Sequence, residues 1–329
     1  MSGSTLTDSL DGDPVGEWYS PAIPAAQLRN LMKRCDRHAA LNFGCWLLLC
    51  LASGAGVVAA IGTYWIVPAV CVYGILLSFS YAASHECSHG TAFRTRWLNE
   101  VVFWLTSVIF MEEAVYRRYA HAEHHTHTWF NTEDPQKPYG IPLSAWQYLK
   151  ETLLLTFYQQ AFHRLLRHAL GRFTAHERQF LPEPERKRVR LDSILMLACY
   201  CGLLAWGVVA RSPWPFVLYF IPRYIGGCFV NLYINTQHMG MAEDLKDHRL
   251  TTRSFRATRW ERLLYWNMNY HIEHHLFPGV PFHALPRLNA AIAGELPPAG
   301  RSVWSINAGI VRTILRPRGG SSSATTAAS

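Results

Sequence analysis

Two pairs of apolar blocks divide the chain. Residues 41 to 61 and 64 to 84 are almost wholly apolar, parted only by Gly62-Thr63. Each approaches the roughly 20 residues a helix needs to cross hydrocarbon, so together they predict a transmembrane hairpin. A second hairpin is predicted at 191 to 210 and 214 to 234, joined by Arg211-Ser212-Pro213, a turn too short for anything but antiparallel neighbours. The block at 100 to 111, EVVFWLTSVIFM, is about half the length of a span and is expected to dip into the interface. From Lys150 to Phe173 the positions Leu154, Tyr158, Ala161, Leu165 and Ala169 form one stripe, with Gln160, Arg164, Arg167 and Arg172 elsewhere. That pattern fits an interfacial amphipathic helix or a helix packed on a cap. The fold class predicted is all-α and integral to the membrane, with four transmembrane helices in two hairpins and a cytoplasmic helical cap.

Charge orients this bundle. Segments 1 to 40, 85 to 190 and 235 to 329 hold nearly all the lysines and arginines, while the turn at 61 to 65 has none and the other has only Arg211. The positive-inside rule puts those large segments and both termini in the cytoplasm, as for a multi-pass protein of a bacterial inner membrane. The net charge of +8 reads as attraction to anionic headgroups. No basic recognition helix or aromatic RNA-binding motif accompanies it, which excludes nucleic acid as a partner. The charged run Glu183 to Arg190 is expected to anchor the following span at the membrane surface. Residues 1 to 24 lack a signal-peptide pattern, so the first span is expected to direct insertion, and the low-complexity tail from Gly319 is expected to be disordered. The expected division is a cytoplasmic N-terminal segment 1–40, a membrane domain 41–318 and a tail 319–329. Cys45, Cys50, Cys71, Cys199, Cys201 and Cys228 fall in the spans, and no CxxC pair occurs. They read as small buried apolar residues rather than a disulfide framework or an iron–sulfur site.

Nine histidines add chemistry to this bundle: His85 and His89 in HECSH, His121, His124 and His125 in HAEHH, His271, His274 and His275 in HIEHH, and His238. On a helix, residues four apart are offset by about 40° and residues three apart by about 60° the other way, so each cluster presents its imidazoles on one face. A catalytic zinc usually takes about three protein ligands, so nine imidazoles suit two metals, and imidazole suits iron as well as zinc and copper. Asn267 stands four residues before His271, and Asn231, Asn235 and His238 follow an i, i+4, i+7 pattern, so these helices could turn further polar groups to the same pocket. Asn235 could hold a metal-bound water.

HECSHG, HAEHHTHT and NMNYHIEHHLFP resemble the three histidine boxes of the integral-membrane fatty acid desaturase and hydroxylase superfamily, over roughly residues 41 to 290. His238 in NTQHMG matches the additional ligand of that superfamily near the end of the fourth membrane helix. The resemblance implies two non-haem irons held by these nine histidines, O2 as co-substrate, and a fatty acid, acyl thioester, acyl lipid or alkane substrate. It further implies a desaturase, with two alternatives that share the first hydrogen abstraction: a hydroxylase (monooxygenase) and a terminal-alkene-forming fatty acid decarboxylase. The first box is HxxxH rather than the HxxxxH of animal and yeast acyl-CoA desaturases, and the third begins with histidine rather than the glutamine of front-end desaturases. No fused cytochrome b5-like segment is present, so electrons are expected from a separate ferredoxin, rubredoxin or cytochrome b5-type protein with its reductase.

Ligating imidazoles need an acceptor on their other nitrogen, and Glu86, Glu123, Glu273, Asp134, Asp244 and Asp247 are candidates, as are Asn235 and Asn267 for polar contacts. Arg223 lies near the middle of a span, where a charge is costly; it is a candidate for the substrate pocket, the alternative being bonds to backbone carbonyls. Arg94, Arg96, Arg117 and Arg118 could hold an anionic head group or be interfacial charges. His127 is expected to point off the ligand face, and His38, His163, His168, His176, His248 and His283 to lie at the surface or an interface. HECSH also fits the HExxH pattern of an intramembrane zinc protease with Glu86 as base, which leaves the later boxes unexplained. A heavy-metal-binding or transport protein could use the same clusters without oxygen or reductant.

Overall fold

The computed structural model describes residues 17–138 and 143–316; the tail expected from Gly319 and residues 1–16 lie outside these. Among the described residues every regular element is helical, with one isolated bridge between Phe255 and Gly300. Four helices are long and apolar enough to cross a membrane: Asp36–Ala59, Ile66–Ser88, Glu183–Val209 and Phe216–His238.

A short helix α1 (Ala25–Leu31) precedes the first span, α2 (Asp36–Ala59). The second span is α3 (Ile66–Ser78) continuing through Phe79 into α4 (Ser80–Ser88). It outruns the apolar block that ended at 84, because the first histidine box is itself helical. Leu47, Leu48, Leu51 and Val67 are exposed on the protein, as lipid-facing side chains would be.

The cap begins with α5 (Arg96–Phe110), which contains the short apolar block and packs on α4. Met111, at φ 65°, stops it and redirects the chain into α6 (Ala114–Thr126), the carrier of the second box. The single helix expected over 150–173 is two. Leu154 adopts φ 53°, which separates α7 (Ala145–Thr152) from α8 (Phe157–Ala169). A capping box starts α7, in which Ser144 accepts from the Gln147 backbone N–H and Gln147 from that of Ser144. The expected stripe supplies the packed side: Ala161 and Leu165 are buried, and Leu165 packs with Met196 and Tyr200. On the other side Phe162, Leu166 and Leu170 are exposed, so α8 both packs on the protein and offers an apolar face outward.

After α9 (Ala175–Phe180), the third span α10 (Glu183–Val209) starts within the charged run, whose glutamates occupy the helix's first turn. His168, expected at the surface or an interface, is fully buried where α8 meets its neighbours. Its Nδ1 lies 2.7 Å from Glu113 Oε1 and its Nε2 3.2 Å from Glu177 Oε1. Arg164 closes on the other oxygen of Glu113 at 3.1 Å. Burial pushes the Glu113 carboxyl up, but Arg164 and His168 outweigh it and hold the group down to about 2. This network ties α6 to α8 and α9, and Ser193 Oγ of α10 joins it by donating to Glu113 Oε1 at 3.0 Å.

The fourth span joins a π-turn at Phe216–Phe220 to α11 (Ile221–His238). The chain then continues through α12 (His248–Thr251), α13 (Arg259–Leu264), α14 (His271–Leu276), α15 (Leu285–Ile292) and α16 (Val303–Leu315).

Candidate metal centre

Four helices bring the nine histidines together. His85 lies on α4 and His89 caps its end, His121, His124 and His125 lie on α6, His238 ends α11, and α14 carries His271, His274 and His275. Adjacent residues on a helix point about 100° apart, so His124 and His125 face different neighbours, as do His274 and His275. Two groups result. His85, His89, His121, His125 and His274 have ligand atoms all within 4.8 Å of one another, and so do His124, His238 and His275. His271 adjoins the second group, with Nε2 3.0 Å from His238 Nε2 and 3.2 Å from His275 Nε2.

The donor spacing fits a metal. In the first group His85 Nε2 lies 2.9 Å from His274 Nε2 and 3.0 Å from His121 Nε2, which is 3.2 Å from His125 Nε2. Nitrogens bound roughly 2.1 Å from one ion lie about 3.0 Å apart at right angles and about 3.4 Å apart in a tetrahedron. The observed spacings fall where nitrogens sharing one ion would lie. His89 Nε2 is buried with no protein partner. Burial, reinforced by the neighbouring imidazoles, holds His121, His125, His271, His274 and His275 well below the usual histidine range. They are neutral, the form that binds a metal.

Four of these rings have the far nitrogen fixed. His124 Nδ1 donates to Asp134 Oδ2 at 2.8 Å, His121 Nδ1 to Gln136 Oε1 at 3.0 Å, and His238 Nδ1 to the Thr251 carbonyl at 2.9 Å. His275 Nδ1 lies 3.1 Å from Thr128 Oγ1. Each bond leaves Nε2 facing the group's interior. Asp134 is itself fixed by the backbone N–H groups of Trp129 and Gln136, both at 2.8 Å. Asp134→Asn is expected to weaken metal retention about 10–100-fold, measured by metal per chain against a graded chelator, because an amide cannot match the carboxylate as acceptor.

The other acidic candidates lie near the centre but bond elsewhere. Glu86 accepts from Thr91 Oγ1 at 2.6 Å and from the Phe282 N–H at 3.1 Å, which docks the third-box segment on the first. Glu273 accepts from Ser254 Oγ at 2.6 Å and from Asn289. Glu123 Oε1 lies 3.0 Å from His127 Nδ1, outside both groups. Asp244 accepts from the Asn131 N–H at 2.8 Å, and Asp247 caps α12 and pairs with Arg249 at 2.7 Å. Asn267 is corrected more sharply. Helix α14 starts only at His271, and Asn267 sits in a turn at φ 52°, bonded to Arg262 and the Phe282 carbonyl. No shared helix turns it toward the histidines.

Gln136 and Thr128 were absent from the sequence-based set, although Thr128 falls one helical turn after His124. His248, expected at the surface or an interface, is buried beside the second group. Its ring stacks on Trp18 at 4.5 Å and lies 5.1 Å from that of His275.

A cavity of about 230 Å³ reaches His85, His121, His124 and His238. Tyr81, Phe110, Trp129, Leu154 and Phe157 supply its aromatic and aliphatic wall, and Asn231 and Asn235 its polar side. Asn235 Nδ2 donates to Thr152 Oγ1 at 2.8 Å. Arg117 also lines it, paired with Glu112, its guanidinium 5.1 Å from the Tyr81 ring centroid. Arg223 is not among the lining residues. It is fully buried and donates from Nε to the Ile109 carbonyl at 3.1 Å and from Nη2 to the Phe110 carbonyl at 3.4 Å, where α5 ends. A cation at a helix C-terminus is favourable, so the backbone-bonding alternative describes it.

The fatty acid desaturase family model matches residues 62–307. The chain is also similar to two proteins of Calendula officinalis, fatty acid conjugase FAC2 A, at 25% identity, and fatty acid conjugase FAC2 B, at 24%, each over 251 residues. The matches cover 67% of this chain and 65% and 64% of those proteins, less than two thirds of either. With the family match spanning most of its length, the chain belongs to the fatty acid desaturase family.

Proposed function

We propose that this chain is an O2-dependent di-iron membrane oxidase that desaturates a fatty acyl chain. The observation that carries the reading is the pair of imidazole groups at the ends of membrane helices, opening on a cavity with one aromatic and aliphatic wall in a desaturase-family chain. Two non-haem irons, when bound, supply the activation of dioxygen needed to break unactivated C–H bonds. The residues do the holding: His85, His89, His121, His125 and His274 one ion, and His124, His238, His271 and His275 the other. Asp134, Gln136, Thr128 and the Thr251 carbonyl keep four of the rings aimed. Phe110, Phe157 and Leu154 exclude water and receive the chain, and Asn235 is the proposed holder of a water beside His238. Overall the substrate loses two hydrogens and O2 becomes two waters, which takes two protons and two electrons from a separate ferredoxin, rubredoxin or cytochrome b5-type carrier with its reductase. Arginine and lysine bias supports a cytoplasmic side for the boxes and both termini, and the reading takes 41–318 as a single membrane domain.

Expression of the chain with a ferredoxin and its reductase, beside a His85→Ala control, tests this. Gas chromatography with mass spectrometry of lipids, free acids and headspace is expected to show a new unsaturated acyl product absent from the control. A hydroxylated acyl product would replace desaturase by hydroxylase, and a chain-shortened terminal alkene by decarboxylase. Identical profiles from iron-loaded protein would overturn the reading.

A further inference from the structure

His89 differs from its partners in where it opens. It is only partly buried, and it lines a surface groove of about 580 Å³ rather than the cavity. His85 and His121 line the cavity and not the groove, so the first imidazole group is approached from two directions. The groove is basic: Arg34, Arg94, Arg96 and Arg118 stand around it against Glu100 alone. Glu100 is taken by Arg118 at 2.8 Å. Arg34, Arg94 and Arg96 are exposed and make no ion pair among the described residues. Arg34 also lines the adjoining groove, whose rim carries Lys33 and Arg287.

The arginines are held in place. Asp36 accepts from the Thr95 N–H at 2.9 Å and from its hydroxyl at 2.7 Å, fixing the residue between Arg94 and Arg96. Asn99 donates to the Cys87 carbonyl at 2.9 Å, which ties α5 to the end of the first box. Gly90 and Ala122, both small, line the groove beside His89.

We infer that this groove docks a small acidic one-electron carrier protein and that its electrons enter through His89. The inference rests on the oxidase reading above, whose reaction draws two electrons from outside. In each encounter the carrier is oxidised by one electron and the centre gains it, and two encounters supply the pair consumed with two protons and O2. Charge complementarity selects an acidic partner and speeds its encounter. A lipid phosphate would suit the arginines but has no use for a path through His89 to the first imidazole group. Substrate, arriving through the cavity, need not compete with the carrier.

The test uses full-length protein in nanodiscs of zwitterionic lipid, with a purified [2Fe–2S] ferredoxin of net negative charge as probe. Arg94→Glu/Arg96→Glu is expected to weaken ferredoxin binding about tenfold or more at low salt, and to flatten its salt dependence. The KM for ferredoxin should rise in step, while the KM for acyl substrate and iron per chain stay as in the parent. Arg94→Lys/Arg96→Lys should bind nearly as the parent does, and Arg172→Glu, a charge change on another surface, should have no effect. Unchanged ferredoxin binding in the double glutamate variant overturns the inference. So does a rise confined to the KM for acyl substrate, which would make the arginines head-group contacts, or a defect seen only with anionic lipid, which would make them lipid contacts. Ferredoxin binding is read without turnover, so a failure of the desaturase reading shows separately, as intact docking with no acyl product.

Discussion

His274→Ala is expected to abolish oxygen-dependent turnover, lowering it on the order of a thousandfold or more, and to lower iron per chain. His274 Nε2 stands 2.9 Å from His85 Nε2, and its ring centroid is 4.7 Å from that of His89 and 4.8 Å from that of His125. It is the third box's contribution to the first group, while its neighbour His275 serves the second. Alanine would leave four imidazoles from the first two boxes and no ligand from α14, opening one side of the position. A metal's stabilisation of developing charge is worth several kcal/mol, and each 1.36 kcal/mol is about tenfold in rate. The measurements are iron by elemental analysis and acyl product by mass spectrometry. Retained turnover with a full iron complement would remove His274 from the centre. The same variant separates the protease alternative, which needs only His85, His89, Glu86 and one acidic ligand. Glu86 is already held by Thr91 and the Phe282 N–H, a poor position for a general base.

What could be read from the residues alone was what depends on local periodicity. Apolar block length predicted four spans, and the four-residue spacings His85/His89, His121/His125 and His271/His275 each keep a pair of imidazoles in one group, whereas the three-residue pairs His121/His124 and His271/His274 are divided between the two, which one shared face per box did not foresee. Two other misreadings share a cause, which is assuming that a helix persists. Asn267 was placed by extending α14 backward through a turn, and 150–173 was joined across Leu154, whose positive φ no apolar stripe reveals. Third-dimensional neighbours were equally hidden. Asp134 and Gln136 follow the second box on an irregular segment, and only the fold decides that they reach His124 and His121 while Asp244 and Asp247 reach Asn131 and Arg249. Arg223 shows the limit of composition. Its cost in a span was legible, but the carbonyls that satisfy it belong to the end of α5, more than a hundred residues away.

The second large effect is expected from Gly226→Ala, a change about three helical turns before His238 on α11. A Cβ built at Gly226 would lie 1.8 Å from the Gly74 carbonyl oxygen, 2.1 Å from its carbon and 2.6 Å from the Ile75 nitrogen. One built at Gly74 would lie 2.2 Å from the Pro222 carbonyl oxygen. All these are backbone atoms, so no rotamer change relieves the contact and the two helices must separate. Within a bilayer helices gain no hydrophobic drive from meeting each other, and close packing of small residues is what joins them. Here the joined helices also carry chemistry: α3 runs on into α4 with His85, and α11 ends in His238. Separation therefore shifts ligands of both imidazole groups at once. Overpacking costs about 1–3 kcal/mol where side chains can give way, and a backbone contact should reach or exceed the top of that range. The expected result is a lowered thermal midpoint, poor recovery of monodisperse protein in detergent and reduced iron per chain. Gly202→Ala is the control, because a Cβ there meets nothing within 4 Å and alanine favours the helix. Equal melting of the Gly226→Ala variant and the parent would mean that the second and fourth spans do not meet through these glycines.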